Sequence, residues 1–166
     1  MYYCNITMNI PTLALQNSTP DHGSAFVFCK KAILFFDGCS KGNPGMGGSG
    51  FVLYEEDGTT EIAVGSHFVG DYVTNNVAEY HGLVSGLKEA AKQSIEDLLV
   101  KGDSLLIIQH MRKEFQIRSS NLLPFYLEAA EAAKEFTRIE YKHIYRAENK
   151  RADALSNEGI PIEKRG

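Results

Sequence analysis

The chain predicts an α/β domain, a mixed sheet with helices on its faces. Three observations predict it. Apolar strand-like runs come first and close together, between Ala32 and Val69. A long stretch of helical periodicity follows, from about Asn76 to Gln93. Strand-like and helix-like segments then alternate to a short last helix at Ala152 to Glu158. Three strands in an antiparallel meander, followed by strands interleaved with helices, imply a single mixed sheet.

Each element has its own signal. Ala32 to Asp37 is a short apolar run that suits a buried central strand. The glycine-rich stretch Gly38 to Gly50 reads as a loop, and Phe51 to Tyr54 as the second strand. Asp57-Gly58 is a tight-turn signal. Ile62 to Val64 and His67 to Val69 make a third strand, bulged at Gly65. Tyr80, Leu83, Val84, Leu87, Ala90 and Ala91 recur at helical spacing. Asp97 to Val100 is a fourth strand. Leu105 to Met111 suits a strand or a buried helix, with helix favoured. Asn121 to Phe136 is rich in Ala and Glu, with Pro124 tolerated in its first turn. Arg138 to Tyr145 alternates as a fifth strand.

The chain has 166 residues, enough for one domain with a full core. The domain is expected over 31–160, after a loosely ordered extension at 1–30 and before a short tail at 161–166. No apolar run approaches the roughly 20 residues of a membrane span. The first 29 residues hold no Lys or Arg, unlike a secretory signal or a transit peptide. Cys4, Cys29 and Cys39 lack metal spacing and form an odd set, which suggests reduced thiols and a cytosolic or nuclear setting. A net charge of −4 argues against tight non-specific binding to nucleic acid, yet Arg138, Lys142, Arg146, Lys150 and Arg151 gather late in the chain.

Four acids sit where elements begin or end: Asp37, Glu79, Asp103 and Asp153. Carboxylates at such places suit divalent metal, and two ions can clamp the attacking and leaving oxygens of a phosphate. Each acid has a plain structural alternative. Asp37 opens Asp37-Gly38-Cys39-Ser40-Lys41-Gly42-Asn43-Pro44-Gly45, which could be a hairpin turn. Asn76 could cap the long helix, with Glu79 completing a capping box. Asp103 could cap the helix after it. Asp153 could be a first-turn acid favoured by the helix dipole.

Jointly these segments resemble a type-one ribonuclease H over about 31–160. The resemblance rests on Asp37-Gly38 with Gly42-Asn43-Pro44-Gly45, Thr74-Asn75-Asn76 with Ala78-Glu79, Gly102-Asp103-Ser104, and Asn149 with Ala152-Asp153. It implies a five-stranded mixed sheet of order 3-2-1-4-5, with helices on both faces and the first strand beside a parallel fourth. It implies that Asp37, Glu79, Asp103 and Asp153 hold two Mg²⁺ ions, with Mn²⁺ as a substitute. The substrate implied is the RNA strand of an RNA–DNA hybrid, contacted by Gly38, Ser40, Asn43, Asn75, Asn76, Arg146 and Asn149. No membrane and no obligate protein partner is implied, and a monomer is expected. A non-catalytic nucleic-acid-binding module of the same fold is the alternative. Many members carry a loop histidine before the last acid. The segment Tyr145-Arg146-Ala147-Glu148-Asn149 has none, so Arg146 takes that place, or His143 one strand earlier. No basic extra helix fits between Arg112 and Asn121, where Lys113 and Arg118 give a modest basic patch.

Overall fold

The computed structural model describes residues 29–164, so the expected N-terminal extension lies almost wholly outside the described residues. Five strands form one sheet: β1 (Lys31–Lys41), β2 (Gly45–Glu55), β3 (Glu61–Val73), β4 (Asp97–Gly102) and β5 (Arg138–His143). Their order is β3-β2-β1-β4-β5. The β1–β2 and β2–β3 pairs are antiparallel, and β1–β4 and β4–β5 are parallel. Among the described residues the α-helices are α1 (Asn75–Lys92), α2 (Leu105–Met111), α3 (Leu123–Ala132) and α4 (Lys150–Glu158). No described helix is long and apolar enough to cross a membrane.

The expected order of elements holds, and several boundaries move. The glycine-rich stretch is not a loop. It is the tip of a long hairpin, since β1 runs on to Lys41 and β2 starts at Gly45. The turn itself is only three residues, with Gly42 at φ 117°. The third strand is continuous, and Gly65 pairs in register with Phe51. The register shifts of the β2–β3 pair lie instead at Gly45/Gly47, Gly47/Gly48 and Leu53/Tyr54 of β2. The Ala/Glu-rich helix is shorter than expected, because its last turn tightens into a 3-10 turn at Ala133–Glu135.

Helix α1 explains how the molecule is held together. Thr74, not Asn76, is its N-cap: its backbone is extended and its Oγ1 accepts from the Val77 N–H at 3.4 Å. Its apolar stripe, Tyr80, Leu83, Val84, Leu87 and Ala90, is buried. It packs in one cluster with Leu34 and Phe36 of β1, Leu98 and Val100 of β4, and Ile107, Ile108 and Met111 of α2. Each fully buried Leu in this layer contributes roughly 1.5–3 kcal/mol.

The helix also comes unusually close to the sheet. A Cβ at Gly82 would lie 2.5 Å from the Asp37 carbonyl oxygen, and one at Gly38 would lie 2.1 Å from the Glu79 nitrogen. Only glycine permits that approach, and it brings Glu79 down onto the end of β1. The next residue, Cys39, points to the opposite face, where its Sγ lies 3.3 Å from the Ser156 carbonyl oxygen of α4. Helices α1 and α4 therefore cover opposite faces, and both reach the same end of β1.

Candidate active site at the sheet rim

Parallel pairing aligns the first two acids. Phe35 of β1 pairs with Lys101 of β4, and two residues further on Asp37 stands level with Asp103. The first turn of α4 supplies Asp153, and the first turns of α1 supply Glu79. Four elements thus deliver one carboxylate each to one rim.

The electrostatics show that the acids bear on one another. Asp37 is 6% exposed. Burial pushes its carboxyl up to about 8, and the charges of Asp103, Glu79 and Asp153 add to the rise. The Gly38 N–H, donating to Oδ1 at 2.8 Å, offsets part of it. Burial likewise raises Glu79 to about 7, with the Asp103 charge adding and the nearby Ser104 hydroxyl and Asn75 amide opposing. The Asn75 Nδ2 donates to Glu79 Oε1 at 2.8 Å. Glu79 Oε2 is buried without any hydrogen-bond partner. A capping box at Glu79 is therefore not what forms, because its carboxylate turns to the Asn75 side chain and into the rim.

The other two acids are held by neighbours. Asn149 Nδ2 donates to Asp103 Oδ1 at 2.8 Å and to the Phe36 carbonyl oxygen at 2.9 Å. Arg146 Nη2 donates to Asp153 Oδ1 at 2.8 Å. Asp103 is not the cap of α2, since Ser104 occupies that position. Among the described residues, no three His, Cys, Asp or Glu side chains are gathered tightly enough to make a ready metal cage. The donor set nevertheless fits a hard divalent cation. It is all oxygen, one buried carboxylate oxygen is orphaned, and burial and neighbouring carboxylates raise two of the carboxyls.

The expected substrate contacts divide. Asn43 and Asn75 are stitched together, with the Asn75 N–H donating to Asn43 Oδ1 at 2.9 Å. Asn43 and Asn76 also line a cleft of about 1040 Å³ beside the rim. Ser40 is half-buried and donates to the Val73 carbonyl oxygen at 2.7 Å, which ties the hairpin to the end of β3. Arg146 is exposed, over Asp153. Gly38 and Asn149 are both buried. Gly38 is a packing glycine under α1, and Asn149 positions Asp103. His143 ends β5, with Nε2 3.2 Å from the Asp103 carbonyl oxygen, so it touches the backbone of an acid and not its carboxylate. The late basic run forms no single patch. Arg138 lies 3.9 Å from Asp97 and from Glu140, and Arg151 pairs with Glu61 at 2.9 Å.

The cleft is also lined by Arg118, which the sequence marked only as part of a modest basic patch, and by Leu106 and His110 of α2 and Phe115 of the following loop, which sequence reasoning missed. The one signal for it was a histidine inside the apolar run Leu105 to Met111.

Comparison with known proteins agrees with this architecture. A model of the Reverse transcriptase-like family matches residues 35–159. The chain is 38% identical over 130 residues to a bifunctional protein of Mycobacterium tuberculosis, covering 78% of this chain and 35% of that one. It therefore spans about a third of the length of the mycobacterial relatives it matches. The N-terminal ribonuclease H domain of that protein superposes with a TM-score of 0.76, covering 78% of this chain and 93% of the solved one. Ribonuclease HI of Halobacterium salinarum is 36% identical over 141 residues, covering 85% of this chain and 67% of that one. LC11 ribonuclease H1, solved in complex with an RNA/DNA hybrid, is 30% identical with a TM-score of 0.73, covering 78% and 96% of the two chains. By its order of strands, its four rim acids and these relatives, the chain belongs to the type 1 ribonuclease H family.

Proposed function

We propose that this protein is an endoribonuclease that hydrolyses the RNA strand of RNA–DNA hybrids and leaves 5′-phosphate and 3′-hydroxyl ends. One observation carries the reading. Four carboxylates from β1, α1, β4 and α4 act on one another at a single rim, with Asp37 feeling the other three. Family membership and the hybrid bound to LC11 ribonuclease H1 support the choice of substrate.

Asp37, Glu79, Asp103 and Asp153 would hold two Mg²⁺ ions. Bound there, the ions supply Lewis-acid stabilisation of charge on the phosphate and on the leaving 3′-oxygen. The protein's own part is to keep the carboxylates aimed. Asn149 fixes Asp103 against β1, and Asn75 fixes Glu79. Asn43 and Asn76 offer amide donors and acceptors next to the rim, suited to ribose 2′-hydroxyls and base edges in the minor groove. The strand paired to the cut one then passes into the cleft.

The test uses a hybrid labelled in its RNA strand, with duplex DNA and duplex RNA as controls and Mg²⁺ present. Cutting is expected in the hybrid's RNA strand alone, and Asp37→Asn should lower the rate about 10³-fold, the scale set by loss of a preorganised electrostatic group. Equal cutting of duplex DNA, or activity that survives a chelator, contradicts the assignment.

A further inference from the structure

His110 belongs to none of the acidic motifs, and it is 4% exposed. It lies on α2 and lines the cleft opposite Asn43, Thr74 and Asn76. Its ring stacks on Tyr80 of α1 with centroids 6.3 Å apart and planes 13° apart. Its Nδ1 lies 2.9 Å from the Tyr80 hydroxyl.

Hydrogen-bond accounting assigns the tautomer. Tyr80 is fully buried, and its O–H needs an acceptor. If Nδ1 carried the proton it would donate to the Tyr80 oxygen, and the Tyr80 proton would be stranded. With Nδ1 bare, Tyr80 donates to it, and the imidazole proton sits on Nε2. The pair is then satisfied, and neither Tyr80 nor His110 appears among the described buried groups that lack a partner. Burial also lowers the His110 pKa, so the ring is neutral near pH 7.5. The cleft therefore holds a neutral N–H donor fixed by a buried tyrosine, and the exposed cation Arg118 lines the same cleft.

We propose that His110 donates its Nε2–H to a phosphodiester oxygen of the nucleic-acid strand in the cleft, with Tyr80 holding it in the donor tautomer. The inference rests on the function proposed above. It assigns a binding residue that acts through a hydrogen bond and not through charge. That distinction is measurable, because a neutral donor releases no counterion while a cation does.

The experiment is steady-state cleavage of the hybrid at pH 7.5 across a salt series, for the wild type, His110→Phe, His110→Gln and Arg118→Gln. His110→Phe should raise KM about 5–10-fold, the scale of one hydrogen bond, with kcat within about twofold. Its plot of log KM against log salt should keep the wild-type slope. His110→Gln, which restores an N–H donor, should return KM to within about twofold of wild type. Arg118→Gln should flatten the slope by about one unit if Arg118 meets a phosphate. Unchanged KM in a folded His110→Phe protein, or a change in its salt slope, overturns the proposal. If the wild type cuts no hybrid, the proposed function fails instead.

A second measurement needs no variant to fold. Imidazole ¹⁵N spectra of the wild-type protein in metal-free buffer should show a protonated Nε2 and a bare Nδ1, with the Nε2 resonance moving when hybrid is added. An Nδ1-protonated ring, or an Nε2 signal that hybrid leaves unmoved, overturns the proposal.

Discussion

The rim and the cleft lie side by side and are built on opposite electrostatic principles. At the rim, buried charge is left uncompensated: Asp37 is raised to about 8, Glu79 to about 7, and Glu79 Oε2 has no partner. In the cleft, buried polarity is satisfied: Tyr80 and His110 pair with each other. An unsatisfied buried carboxylate is costly, so it marks a place that a cation completes. A satisfied neutral pair costs little and gives shape and direction instead.

Breaking the rim should have the largest effects. After Asp37→Asn, the next largest loss should follow Asn149→Ala. It removes the donor to Asp103 Oδ1 and to the Phe36 carbonyl while touching no ligand. Activity and Mg²⁺ affinity should fall about 10–100-fold, as when a supporting partner of a metal ligand is lost. Cleavage rates across a Mg²⁺ titration check this. A variant that cuts normally at low Mg²⁺ would show that Asp103 is aimed by something else.

The next contrast is in pH. The folded pKa values of Asp37 and Glu79 lie above their ordinary values, so between about pH 4 and 8 the folded state binds more protons than the unfolded one. Unfolding free energy of the metal-free protein should therefore fall as pH rises through that window. Asp37→Asn should remove much of the fall, and Mg²⁺ should stabilise the wild type more at pH 8 than at pH 6. Denaturant midpoints at several pH values measure it, and a midpoint that rises over the window reverses the sign of the account.

The smallest effect belongs to Arg146. Its ion pair with Asp153 is largely exposed on the Arg side and worth no more than about 1 kcal/mol. Arg146→Gln should free Asp153 and tighten Mg²⁺ binding by no more than about fivefold, read by calorimetry rather than by activity.

The two regions also differ in how far the sequence revealed them. The rim was legible because each acid lies beside a local signal for a strand end or helix start, and four such signals in order resemble one family. The hairpin tip was not. Glycine weakens a strand by local preference, so Gly38 to Gly50 reads as a loop. The structure uses that same lack of side chains to seat α4, since a Cβ at Gly48 would lie 2.1 Å from the Ser156 carbonyl oxygen. Asn149 was visible as a polar residue next to an acid, but its burial depends on Phe36, 113 residues away. The cleft wall was hidden for a similar reason. A histidine in a seven-residue apolar helix gives no sign of its partner, and Tyr80 looks like one more core residue of α1.

The most direct test of the rim is a calorimetric titration of Mg²⁺ into the wild-type protein at pH 7, repeated in buffers of different ionisation enthalpy. Cation binding must drive off the protons that burial and crowding hold on Asp37 and Glu79. The account predicts an apparent enthalpy that depends on the buffer, with about one proton released per protein. Binding that releases no proton, or no binding at the rim, would contradict it.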